Sequence, residues 1–237
     1  MRGIALLIML ASTLAQAAWD DYVETRELRL DAGGVSVLEI EAGAGSLTVT
    51  GDPNADEIIV DATITVPESD EDQAKSRIEK RLVLNLEQAG DTARLEGYFE
   101  SGMFGWGQNT TVALAVTVPQ SLGLIVDDSS GSVEVVAVGG DVRIEDGSGG
   151  IRLTDSGGNV DIEDGSGGIT IDGVMGDVRI DDGSGSMTIQ RVAGSVHIED
   201  GSGSIRVVDV QQDLIVEEGG SGSVDYEQVL GRVEIDE

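Results

Sequence analysis

No cysteine occurs in this sequence, so there is no disulfide framework and no thiol to carry a lipid anchor. Cations are scarce as well: 14 Lys and Arg stand against 45 Asp and Glu, a net charge of −31. Binding phosphates requires clustered Lys and Arg, so nucleic acid and anionic lipid surfaces are excluded as partners. Long apolar runs are missing too. The longest, Ile4 to Leu10, falls well short of the ~20 residues of a membrane-spanning helix. High charge accompanies disorder when hydrophobicity is low, but here 40% of the residues are apolar and they recur periodically. The chain folds.

The opening "MRGIALLIMLASTLAQA" has an early Arg2, a short apolar middle and the small residues Ala15 and Ala17 around Gln16. That is the pattern of a secretory signal. Residues 1–17 are read as a signal peptide cleaved near Ala17, which makes the product exported, periplasmic or extracellular.

What is abundant is repetition. "IEDGSGGI" stands at 144–151 and again at 162–169, with "IDDGSGSM" at 180–187 and "IEDGSGSI" at 198–205. Units of eighteen residues align without gaps over 127–144, 145–162, 163–180, 181–198 and 199–216, and a sixth, 217–235, holds one extra residue. One apolar column is Val133, Ile151, Ile169, Met187, Ile205 and Val224; two residues on stand Val135, Leu153, Ile171, Ile189, Val207 and Tyr226. A second pair runs from Val142 with Ile144 to Val233 with Ile235. A single column between them holds Val138, Val174, Val192, Val210 and Leu230, broken by Ser156.

Each pair is apolar–polar–apolar, the mark of a short strand with one face buried. The unit is therefore strand–turn–strand–turn, too short for helical repeats. The expected fold is all-β: a parallel β-solenoid with one unit per coil, stacked at ~4.8 Å. An antiparallel meander ranks second, because it does not require the same residue at every second turn. In the solenoid Arg143, Asp161, Arg179 and His197 form one outward ladder.

The phrase "EDGSGG" reads first as a corner, with glycines for the tight backbone and Ser148, Ser166, Ser184 and Ser202 to satisfy nearby backbone groups. Its acids also form a column: Asp128, Asp146, Asp164, Asp182, Asp200 and Glu218, flanked by Glu145, Glu163, Asp181, Glu199 and Glu217. Stacked like charges repel, and Ca²⁺ could relieve them through oxygen ligands. The calcium β-roll repeat GGxGxDxUx is matched only in part, because the acid precedes the glycines and the alternate corner has Asp141 and Asp177 but Asn159 and Ser195. The preferred reading is a solvated acidic edge that guards the stack against aggregation. No cofactor is expected, with Ca²⁺ the one ion kept open.

Upstream, "EAGAGSLTV" at 41–49 and "EIIV" at 57–60 read as one degenerate copy over 41–60. Strand-like runs follow at 61–66, 81–86, 92–99 and 111–118, with a single helix candidate at 68–80. The domain plan is a strand-rich half over 18–126 continuous with six repeats over 127–235. The "GSGS-V-x-V" and "G-x-V-x-I" units, with the strand end Val118–Pro119, resemble a bacterial "putative adhesin" domain family of unknown function over residues 35–235. The resemblance implies an exported or surface-associated β-solenoid and carries over no catalytic or ligand residue.

Four of the seven aromatics lie together: Tyr98, Phe99, Phe104 and Trp106. They are the candidate partner-binding residues, and a cap over one end of the solenoid is the preferred structural alternative. His197 is the one histidine; read as a surface residue, it leaves a catalytic triad or a transition-metal cluster excluded by count. A glycosidase needs only two carboxylates, but these acids repeat uniformly where an active site breaks a pattern. The expected function is a noncatalytic adhesin-like scaffold that meets an envelope or surface protein or a glycan. The alternatives are a calcium-dependent β-roll structural protein and, behind it, a polysaccharide-active enzyme.

Overall fold

The computed structural model describes residues 6–9, 21–100, 109–217 and 221–236. The first half carries β1 (Leu6–Met9), β2 (Tyr22–Asp31), β3 (Val37–Asp52), β4 (Glu57–Val66), α1 (Glu71–Arg81), β5 (Leu82–Ala89), β6 (Thr92–Phe99) and β7 (Thr111–Pro119). The second half opens with β8 (Gly123–Val136), β9 (Val142–Asp146), β10 (Gly149–Ser156), β11 (Val160–Asp164), β12 (Gly167–Val174) and β13 (Val178–Asp182). It closes with β14 (Gly185–Val192), β15 (Val196–Asp200), β16 (Gly203–Val210), β17 (Leu214–Glu217), β18 (Val224–Val229) and β19 (Val233–Ile235).

The repeats form a parallel β-solenoid of about six turns. Register follows the sequence period: Ile144, Ile162, Ile180, Ile198 and Val216 are successive partners on one face. Val133, Ile151, Ile169, Met187 and Ile205 are partners on the other. All ten are buried between the two faces. That placement follows from pleating, which sends alternate side chains to opposite sides of a strand. The last coil is offset by nineteen residues, so Val229, and not Leu230, partners Val210. Leu230 is 72% exposed: the extra residue shifts the whole coil by one, and the expected column position moves with it.

The stack begins before the repeats. β3 pairs in parallel with β8 along its length, with Gly45 opposite Gly131 and Leu47 opposite Val133. The 41–49 phrase is thus a true corner and strand. The run at 57–60 is not its continuation, because it lies in β4, which pairs antiparallel with β2 and β7. Alternation marks which residues are buried but leaves partner and direction open. On its other edge β3 pairs with β6 and β7, so residues 53–122 are inserted between the first coil and the second. Within that insertion α1 starts at Asp70, whose carboxylate accepts from the Gln73 N–H at 2.9 Å. Glu71 and Asp72 open it and Lys80 and Arg81 close it, matching the helix dipole.

Coils approach closest at the glycine corner. Gly131, Gly149 and Gly167 have φ of +139°, +146° and +157°, and a Cβ at Gly149 would stand 1.6 Å from the Gly131 carbonyl oxygen. The same clash recurs at Gly167, Gly185, Gly203 and Gly222. Backbone bonds run through the corner as well, from Gly149 N–H to Ser166 O and from Gly165 N–H to Asp146 O. The neighbouring Gly150 is free of this restriction: a Cβ there meets only the Gly168 oxygen at 3.8 Å, and Ser132 occupies the equivalent position. Adjacent glycines therefore carry opposite expectations. Gly149→Ala should lower stability by more than ~3 kcal/mol, as a backbone collision in a packed stack does. Gly150→Ala should stay within about 0.5 kcal/mol. Urea unfolding of both variants checks this.

Candidate functional site

The corner that requires glycine also carries the acids. In the strand "VRIED" the buried side is Val142, Ile144 and Asp146, so the aspartate continues the inward parity of the two apolar residues before it. Asp128, Asp146, Asp164, Asp182 and Asp200 are 1–5% exposed. The expectation of a solvated edge is corrected for this column. It holds for the adjacent one, because Asp127, Glu145, Glu163 and Asp181 lie exposed on the outer side in direct register. Two parallel acidic ladders thus border one groove along the corner.

Each inner aspartate from Asp146 to Asp200 closes its own turn. Its Oδ1 accepts from the serine N–H two residues on, at 3.1 Å for Ser148, Ser166 and Ser202 and 3.0 Å for Ser184. This is an Asx-turn, so the bond that satisfies the corner uses the serine backbone and the aspartate carboxylate. The other oxygen, Oδ2, has no hydrogen-bond partner among the described residues in any of the four. Burial pushes the carboxyl of Asp128 up to about 7, aided by Asp146 and Asp127. Asp164 is pushed up to about 6 by burial and then by Asp182 and Asp146. Asp146, Asp182 and Asp200 are raised for the same first reason.

The alternate corner is built differently. The Asp141 carboxylate accepts from Asn159 N–H, the Asn159 side chain from Asp177 N–H, and the Asp177 carboxylate from Ser195 N–H, at 2.8, 3.0 and 2.8 Å. Any short acceptor clips one coil to the next here. That explains the mixture of Asp, Asn and Ser, which had looked like a broken metal motif.

On the outward ladder Arg143 bonds Asp161 and Glu163, each at 2.6 Å, and Glu145 at 2.9 Å. Arg179 donates to Glu199 of the next coil. His197 follows Arg179 in the ladder. Its Nε2 is buried without a hydrogen-bond partner among the described residues, 3.6 Å from Glu199 Oε1 and 3.8 Å from Glu217 Oε1. Counting histidines in the sequence excluded a metal cluster; the coil register brings two carboxylates to the imidazole. The signal was present, since Glu199 shares the outward parity of His197 and Glu217 lies one period further on.

Of the aromatic candidates, Tyr98 and Phe99 end β6 and are half-buried. Phe99 packs against the core, and as successive strand residues the two point to opposite faces. Phe104 and Trp106 lie outside the described residues.

Residues 35–228 match the family model described as Toastrack DUF4097. The chain belongs to this family. No curated protein matches the chain. Among solved structures, this Toastrack chain resembles a "putative adhesin" from Bacteroides fragilis NCTC 9343 at 14% identity. That match covers 91% of this chain and 97% of the other, with a TM-score of 0.52. A second "putative adhesin", from Parabacteroides distasonis ATCC 8503, aligns at 13% identity over 92% and 98% of the two chains, with a TM-score of 0.46. At these identities the likeness concerns the fold alone.

The buried column of this Toastrack fold sets a pH dependence. A carboxyl raised in the folded state binds more protons there than in the unfolded chain, so its stabilisation is complete below the unfolded value, near pH 4, and is lost as pH rises through the folded one. Stability should therefore decline between about pH 4 and pH 7. Replacing Asp146, Asp164 and Asp182 together by Asn should make that slope shallower and raise stability at pH 8. Thermal melts from pH 4 to 8 measure both.

Proposed function

We propose that this protein is a noncatalytic, exported interaction scaffold of the cell envelope or surface, adhesin-like in kind. The observation that carries the reading is the outer acidic ladder. Asp127, Glu145, Glu163 and Asp181 are held at one-coil spacing on a rigid parallel sheet. A repeated row of fixed charges binds through many weak contacts at once, and its sign selects a cationic face on an envelope protein or glycan. The leader-like segment 1–17 supports export, and the adhesin names of the solved relatives agree in kind. Cleavage after Ala17 would remove β1 and leave β2 at the sheet edge. There Arg26 is paired with Glu24, and Arg29 with Glu27, a charged edge of the sort that resists further strand pairing.

Binding of the mature chain to the organism's own envelope fraction tests this reading. The variant Glu145→Gln, Glu163→Gln, Asp181→Asn should melt no lower than the parent and bind at least ~10-fold more weakly, with parent binding also falling as salt rises. Undiminished binding of that variant overturns the acidic-face reading. Loss on Phe104→Ser, Trp106→Ser in a folded chain moves the contact to the aromatic loop.

The unpartnered Oδ2 atoms of the inner column favour one second reading, a calcium-dependent structural role. Ca²⁺ bound only by the folded chain raises the melting temperature relative to chelator by mass action. Identical curves at low ionic strength reject it.

A further inference from the structure

The outward ladder breaks its own pattern at one place. Arg143, Asp161 and Arg179 alternate in charge along neighbouring coils, and alternation would put an acid next. The sequence places His197 there instead, followed by the apolar Ile215. One step along the same outward face, Glu199 stands directly opposite Glu217 of the next coil. An imidazole and two carboxylates thus converge from two adjacent coils, with all three ligand atoms within 4.8 Å of one another.

The geometry points to a binding site for a zinc-class divalent cation formed by His197, Glu199 and Glu217. Four ligands at about 2.0–2.1 Å in a tetrahedron stand roughly 3.3 Å apart. The His197 Nε2 distances of 3.6 and 3.8 Å to the two glutamate oxygens approach that edge and need only side-chain adjustment to meet it. The donor chemistry agrees. Imidazole with carboxylate suits zinc and its neighbours, whereas calcium and magnesium take oxygen donors. Nε2 is withdrawn from solvent and has no hydrogen bond among the described residues, where an ion would give it a partner. Arg179 of the preceding coil already holds Glu199, in the way that outer groups orient a metal-ligating carboxylate. Three protein ligands leave a fourth position on the open face, for water or for a donor from a bound partner. An ion here joins β15 to β17, near the end of the stack where Val224, Val229 and Val233 are only half-buried. Glu199 and Glu217 continue the outer acidic column past Asp181, but neither is among the four acids proposed for partner binding.

The single histidine makes the test clean. The mature chain is prepared without a polyhistidine tag and titrated with Zn²⁺ in excess Mg²⁺, which occupies the acidic ladders. Calorimetry follows uptake, and NMR follows the one imidazole. The expected result is one Zn²⁺ per chain, with the imidazole resonances shifted at saturation and the melting temperature raised over that in chelator. Co²⁺ in its place should give visible bands of a tetrahedral centre. His197→Gln and Glu217→Gln should each melt like the parent in chelator and bind at least ~10-fold more weakly. Glu145→Gln should bind as the parent does. If His197→Gln takes up Zn²⁺ unchanged, or the imidazole resonances stay in place at saturation, the ion sits on the carboxylate ladders and the proposal is wrong.

Discussion

The contact on which this molecule depends is the approach of one backbone to the next at the glycine corner. The Gly131 carbonyl oxygen occupies the space a Cβ would need at Gly149, and the relation repeats to Gly222. Coils of this closeness keep their N–H and C=O groups bonded through the turn, not merely along the strands, so few polar groups are abandoned at the bend. Glycine supplies both the missing side chain and the positive φ. A fixed corner fixes coil length, coil length fixes register, and register produces every ladder on the two faces.

The same closeness has an electrostatic consequence. Parity carries Asp146 and its equivalents inward, where Oδ1 completes the turn and Oδ2 is left without a partner. Burial raises the proton affinity of these carboxylates, and like-charged neighbours add to it at Asp128, Asp164 and Asp182. Asparagine could close the same turn through its side-chain oxygen without the charge. The aspartate column is therefore a costly choice, and its raised proton affinity ties the stability of the stack to pH. Just outside it, the exposed acids supply the repeated surface on which the proposed partner binding rests.

The β-solenoid and its coil length were legible because a strand has a period of two and a stack repeats whole coils. The helix at α1 was legible from the acids that open the segment and the Lys and Arg that close it. The run at 57–60 was not, since a buried strand alternates in the same way whether its neighbour is parallel or antiparallel. Parity also placed the aspartates of the corner inward, against the general rule that carboxylates seek water. The rule failed because the turn offers each of Asp146, Asp164, Asp182 and Asp200 a serine N–H that offsets part of the cost of burial.

By itself the sequence determined the coil, its corners and the columns of the regular coils, because those depend on spacing along one chain. Tertiary structure alone decided which groups meet across coils. His197 and Glu217 are twenty residues apart and come together only because eighteen of those residues return the chain to the same edge. The fate of β4 and the burial of the aspartate column were settled in the same way, by what is stacked beside each strand. A linear pattern records the side to which a residue points; the energy of that position comes from the neighbours packed against it.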